Sequence, residues 1–192
     1  MEVTMVLTPS KMVPLGRSAP YFHLLDPRSG KKVSLEEIRS DIATVVMFIC
    51  NHCPYVKHLQ EMLIALARDY IPKGISFVAI NSNDVTAYSE DGPEEMEKLA
   101  EKLDFPFPYL FDETQEVARA YQATCTPDFF VFDGKLKCAY RGQFDDSRPG
   151  NRNPVTGKDL AEALDCLLMG NPVTPDQQPS MGCNIKWILA VN

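Results

Sequence analysis

Two cysteines three residues apart, Cys50 and Cys53, enclose Asn51 and His52, and Pro54 follows them. Sulfurs at that spacing suit two kinds of chemistry. They can bond to each other during thiol–disulfide exchange, or they can supply half of a tetrahedral metal site. A structural metal site needs four ligands, yet no second Cys-x-x-Cys and no His-x-x-x-His follows. Only isolated candidates such as Cys125, Cys183 and His58 are left. Haem attachment is excluded because a proline, and not a histidine, follows the second cysteine. Exchange is the preferred reading, with no metal and no cofactor expected; a metal-binding or redox-sensing protein without turnover is the alternative.

The pair sits where a strand should meet a helix. Ala43 to Ile49 is apolar except for Thr44, short and rich in β-branched residues, which reads as a central strand buried on both faces. From Pro54 to Tyr70 the positions Tyr55, Leu59, Met62, Leu63, Leu66 and Tyr70 recur at helical spacing, and Pro72 and Gly74 close that helix. A thiolate at a helix N-terminus faces unsatisfied N–H groups and the positive end of the helix dipole. Its pKa falls from ~8.5 to about 3.5–7.5. On this placement Cys50 is expected to be the ionised, attacking sulfur, and Cys53, one turn deeper, the sulfur that resolves the mixed disulfide. His52, with Lys57 and His58 further on, is placed to hold positive charge near the thiolate. The plainer reading of His52 is an exposed polar residue at a turn.

The remaining elements frame this junction. Ala19 to Asp26 predicts a short strand before a Pro27–Gly30 turn, and Ser34 to Ile38 a capped helical turn. Ile75 to Ile80 predicts a second buried strand, followed by a polar loop, 81–92, and a helix that opens at Pro93 and ends near Asp104. Thr114 to Tyr121 reads as a short helix. Phe129–Phe132 and Leu136–Tyr140 read as antiparallel strands around Asp133-Gly134. Lys158 to Met169 reads as the last helix, after a loop over 142–157, and the tail from Gly170 shows no clear period. The order predicts an α/β sandwich with parallel neighbours from the first crossover and antiparallel ones from the hairpin. One domain spans 1–192, with a core of about 19–169 and a tail of 170–192.

Composition narrows the functional classes. A net charge of -7 and no basic run longer than a dipeptide argue against a nucleic-acid partner. No apolar run approaches the ~18 residues that suggest a membrane span, and Met1 to Pro20 offers neither a signal-peptide core nor a lipidation motif. Six unevenly spaced cysteines do not make a secreted disulfide framework. A cytoplasmic protein is expected, with protein or small-molecule disulfides and thiols as partners. The sequence assigns no oligomeric state.

Four stretches carry a resemblance: Ala19 to Leu24, Phe48 to Lys57 with its Cys-Asn-His-Cys-Pro-Tyr-Val run, Thr124 to Phe130, and Gly182 to Trp187. In these the chain resembles thioredoxin-like redoxins related to alkyl hydroperoxide reductase C and thiol-specific antioxidant proteins, in a peroxiredoxin-like subgroup. The resemblance implies a thioredoxin-like fold, a three-layer α/β/α sandwich with a mixed central sheet, an N-terminal extension and a C-terminal tail. It also implies an antioxidant role, a thioredoxin-type reductant as partner, and a cis Thr126–Pro127 bond facing the cysteines. Thr126 and Pro127, with Asn51 beside the pair, are then the substrate-binding candidates, the backbone of Thr126 pairing with a bound substrate chain.

Two departures limit the resemblance, the first set against direct peroxide reduction and the second leaving another group, or water, to take the proton from Cys53. Neither cysteine lies in the Pro-x-x-x-Thr/Ser-x-x-Cys frame of peroxiredoxins, and Thr44 occupies the position where thioredoxin keeps a buried acid. A thiol peroxidase with Cys125 or Cys183 resolving remains the rival enzyme. Those two are the candidate accessory thiols, against a buried hydrophobe for Cys125 and a packing tail anchored by Ile185 and Trp187 around Cys183. Cys138 and Cys166 read as packing residues.

Overall fold

A computed structural model describes residues 7–189. The expectations for residues 1–6, within the segment read as free of a secretion signal, and for 190–192 of the tail lie outside the described residues. The elements are β1 (Leu7–Pro9), β2 (His23–Asp26), β3 (Lys31–Ser34), α1 (Leu35–Ile38), β4 (Ala43–Phe48), α2 (Pro54–Tyr70), β5 (Ile75–Asn81), α3 (Pro93–Lys102), β6 (Tyr109–Phe111), α4 (Glu116–Tyr121), β7 (Cys125–Thr126), β8 (Asp128–Asp133), β9 (Cys138–Gly142), α5 (Lys158–Leu168) and β10 (Met181–Asn184).

Strand β4 is buried along its whole length because it lies inside a seven-stranded sheet of order β3-β2-β6-β5-β4-β8-β9. It pairs in parallel with β5, Val46 opposite Val78, and antiparallel with β8, Phe48 opposite Asp128. Its side chains alternate between two cores, as the two-residue period of a strand requires. Val45 and Met47 join Leu59 and Leu63 of α2 and Leu160 of α5; Val46 and Phe48 join Val117 and Tyr121 of α4. Helices therefore cover both faces of a mixed sheet, the three-layer arrangement expected.

Local chemistry explains where elements start. Ser34 and Glu37 form a reciprocal capping box on α1. Helix α2 carries Pro54 at its first position with Cys53 as the N-cap residue, so Cys53, and not Cys50, is the cysteine next to the helix amides. The strand expected from Leu136 begins only at Cys138, because Leu136 takes φ 56 inside the turn. The helix expected from Thr114 begins at Glu116, after Gln115 with φ 62.

Strands β1, β6, β7 and β10 were not anticipated. Strand β6 pairs in parallel with β5. Strand β10, in the tail read as aperiodic, lies between β1 and β7 in a three-stranded antiparallel sheet. Cys183 and Ile185 of this tail belong to the two main cores, one each. Among the described residues, no helix is long and apolar enough to cross a membrane.

Candidate active site

The turn from Cys50 to Cys53 is fixed from a distance by one carboxylate. Asp91, fully buried, accepts from the backbone N–H of Asn51 (2.8 Å) and of His52 (3.2 Å) through Oδ1, and from Asn83 Nδ2 (2.9 Å) and His52 Nδ1 (2.5 Å) through Oδ2. A carboxylate only accepts, so Nδ1 of His52 is the donor. The His52 ring stacks on Tyr88 at 5.1 Å, and Asn51 is held at both ends of its amide, by Glu90 O (2.9 Å) and the Tyr109 hydroxyl (3.0 Å). The loop that precedes α3 thus clamps the turn between the two sulfurs.

The sulfurs meet opposite environments. Cys50 lies 3.9 Å from His52 Nδ1 and 3.4 Å from Thr126 Oγ1. Burial, the hydrogen bond with Cys53 and the negative charge of Asp91 push its thiol well up from the ordinary range. Cys53 is driven the other way. Hydrogen bonds from Cys183 and then Cys50 hold it well below the usual thiol range against the cost of burial, and Thr126 and the Val56 backbone N–H help. Protonated, Cys53 would donate to Thr126 O at 3.2 Å; two neighbouring thiols and a helix amide favour the thiolate over that single bond. The two shifts run in opposite directions, down at Cys53 and up at Cys50, where the sequence placed the lowered pKa on Cys50, and the leading cause of the Cys53 shift is the neighbouring Cys183 thiol.

Thr126 touches both sulfurs, through its hydroxyl and its carbonyl, and the Thr126–Pro127 bond is cis. The backbone edge at Thr126 is occupied. Cys183 of β10 sits opposite Thr126 in register, its Sγ 2.9 Å from Cys53 Sγ. Gly182 makes the approach feasible, since a Cβ there would lie 2.0 Å from Thr126 O. Cys50, Cys53 and Cys183 are 2%, 0% and 2% exposed, so β10 and the clamped turn together close the site.

The model of the AhpC/TSA family matches residues 15–141. The chain belongs to the AhpC/TSA family. Among solved structures it is similar to an uncharacterized conserved protein from Geobacillus kaustophilus, with 60% identity over 98% of this chain and 100% of that one and a TM-score of 0.96. A hypothetical protein from Sinorhizobium meliloti 1021 is 45% identical over 95% and 100% of the two chains, with a TM-score of 0.93. The thioredoxin domain of a thiol-disulfide oxidoreductase from Bacteroides vulgatus is 15% identical over 80% and 99%, with a TM-score of 0.61, a likeness of fold alone. The fold is thioredoxin-like. Comparison with curated proteins gives no match.

Within this AhpC/TSA frame several expected site residues take other parts. Asn51 is engaged inside the turn and not aimed at a substrate. His58 bonds Ser147 Oγ at 2.7 Å, and none of His58, Lys57 and His52 is among the leading causes of the shift of either sulfur. Cys125 is buried with its sulfur 3.6 Å from Pro127 O, and the accessory sulfur in contact with the pair is Cys183. Cys138 is buried in β9 and Cys166 half-buried on α5. Thr44 is buried with its hydroxyl accepting from Ser40 N–H.

A ligand set that spacing alone did not reveal also appears. Cys50, His52 and Asp91 offer one atom each within 4.8 Å of one another, so the expectation of no metal ligands beyond isolated candidates needs this amendment. Three donors fall short of a closed tetrahedral site, and both Asp91 oxygens already accept two hydrogen bonds. Asp91 sits 40 residues from the turn it clamps, and no local pattern marks it.

Proposed function

We propose that the protein is a thiol–disulfide oxidoreductase in which Cys50 and Cys53 cycle between dithiol and disulfide. What carries this reading is the geometry of two buried sulfurs at the start of one helix, Cys53 at its N-cap and within hydrogen-bonding reach of Cys50, with the pKa of Cys53 lowered and that of Cys50 raised. Cys53 attacks one sulfur of a substrate disulfide, the S–S bond breaks, and the departing thiolate carries off the electron pair. The Cys50 proton passes to a departing thiolate as the Cys50 sulfur attacks Cys53. That step forms the Cys50–Cys53 disulfide and releases the second substrate thiol. Two electrons have moved from the protein to the substrate, and the cycle runs in reverse when a thioredoxin-type dithiol reduces the pair.

Access requires β10 to leave the Thr126 edge, which gives an incoming chain both the backbone groups of Thr126 and the sulfur of Cys53. Disulfides of proteins or small thiols are the substrate class, an antioxidant role is the biological reading, and the cytoplasm, where such pairs act catalytically, is the location. Peroxide reduction is the weaker reading, because the residues of the peroxiredoxin frame are missing before both Cys50 and Cys53.

A trapping experiment tests the proposal. In a Cys50→Ser/Cys183→Ser protein, glutathione disulfide should leave a stable mixed disulfide on Cys53. Absence of that adduct, or wild-type exchange rates in Cys53→Ser, would reject the mechanism. Fast hydrogen peroxide consumption by the wild type would favour the peroxidase instead, and about one retained equivalent of metal after reductive purification would favour the metal-binding alternative.

A further inference from the structure

We propose that Cys183 is a third redox sulfur, and that the tail strand β10 is the built-in first partner of Cys53, exchanging with Cys50 for a bond to it. The proposal rests on the exchange reading above and extends it to an internal relay. Two features converge on the same pair of atoms.

The first is distance. Cys183 Sγ stands 2.9 Å from Cys53 Sγ, inside the contact distance of unbonded sulfurs and a small movement away from an S–S bond of ~2.05 Å. The second is the backbone. Antiparallel pairing sets Cys183 opposite Thr126, whose carbonyl contacts Cys53, so one register delivers the sulfur and no other residue of β10 reaches that position. Gly182 permits the approach, Ser180 Oγ donates to Pro127 O at 2.6 Å, and Ile185 N–H donates to Thr124 O at 3.0 Å on either side of it.

The step balances without an external reagent. Starting from the Cys50–Cys53 disulfide, the sulfur of Cys183 attacks Cys53 Sγ. The Cys53–Cys183 bond forms, the Cys50–Cys53 bond breaks, and Cys50 leaves with the electron pair and takes the proton that Cys183 gives up. The protein stays oxidised by two electrons throughout. Cys50, the most outward member of the pair in sequence, is returned to the thiol state while the oxidising equivalents move beneath β10. Docked and bonded, the tail shields Cys53; reduced, it can lift and admit a substrate.

Peptide mapping after oxidation decides the question. The full-length chain is equilibrated in glutathione buffers of increasing oxidising strength, quenched with acid, alkylated under denaturing conditions and digested without reduction. Wild-type protein should yield a Cys53–Cys183 linked peptide with Cys50 alkylated. Cys50→Ser should yield the same link, and Cys183→Ser should yield Cys50–Cys53 instead. Fully oxidised wild-type protein that carries only Cys50–Cys53, with Cys183 alkylated, overturns the relay whatever the variants show. So does a Cys50→Ser protein that holds glutathione on Cys53 beside an unmodified Cys183. If Cys53–Cys183 forms in the wild type but Cys183→Ser never forms Cys50–Cys53, the relay partner stands and the pair proposed for exchange falls.

Discussion

Cys50 and Cys53 are three residues apart on one turn, yet their surroundings push them in opposite directions. The Cys50 end of the turn meets the buried carboxylate Asp91 and is held as a thiol; the Cys53 end meets helix α2 and two donating thiols and is held as a thiolate. The difference teaches that the sequence motif supplies the two sulfurs but does not decide which one carries charge. On one side burial leads, with Cys53 and then the Asp91 charge adding to it, and on the other the contact with Cys183 leads; the loop before α3 brings in Asp91 and the tail brings in Cys183.

The strongest way to break the contrast is to remove β10 from its edge. A Gly182→Val side chain would meet the Thr126 carbonyl, which no side-chain rotation can relieve. Undocking should raise the alkylation rate of Cys53 at neutral pH on the order of 100-fold, equivalent to removing a local opening step of about 3 kcal/mol. An unchanged rate would show that β10 does not guard this sulfur. Next in size is Cys183→Ala, which deletes the leading cause of the Cys53 depression. The pH at which the ultraviolet thiolate absorbance disappears on acidification should move upward by about one unit or more, a tenfold change in thiolate fraction per unit.

Asp91→Asn addresses the other end. The carboxylate is the third contributor to the raised Cys50 thiol, after burial and Cys53, so its loss should lower that pKa and speed Cys50 alkylation at mildly alkaline pH by about threefold. A slower reaction would contradict the sign. The smallest effect on either sulfur is expected from Asp128→Asn. Asp128 is buried opposite Phe48, burial raises its pKa to about 8, and it contributes to the shift of neither Cys50 nor Cys53. Its influence is on stability. The folded state holds a proton that the unfolded chain releases near ~3.9, so stability is full below that value and falls as pH rises toward about 8. Asp128→Asn should flatten that decline in urea midpoints while leaving thiolate titration unmoved.

Legibility differed sharply between the two ends. The strand before the pair, helix α2 with its Pro54 start, and the β8–β9 hairpin follow from periodicity and turn residues, which are local. Thr126 and Pro127 came from the family resemblance, and Thr126 stands at both sulfurs, joined to Pro127 by a cis bond. Asp91 was hidden because its partners are backbone N–H groups 39 and 40 residues away, and an acid in a polar loop looks solvated. Cys183 was partly visible. Met181, Cys183, Ile185 and Trp187 alternate with polar or small residues, a two-residue period that the surrounding prolines obscured when the tail was read as a whole. The opposite directions of the two thiol shifts were not legible, because their leading causes, burial for Cys50 and the Cys183 contact for Cys53, are set by the folded chain and not by the motif.

Strand β10 has neighbours on both edges, β7 on one and β1, from the front of the chain, on the other, with Leu7 opposite Cys183. The first and last described strands are consequently fastened side by side, at the residue that carries one of the reacting sulfurs. An affinity tag or fusion joined ahead of Leu7 would therefore act as a mechanical load on the very strand that covers Cys53, and redox measurements on this protein should be compared only between preparations with the same leader.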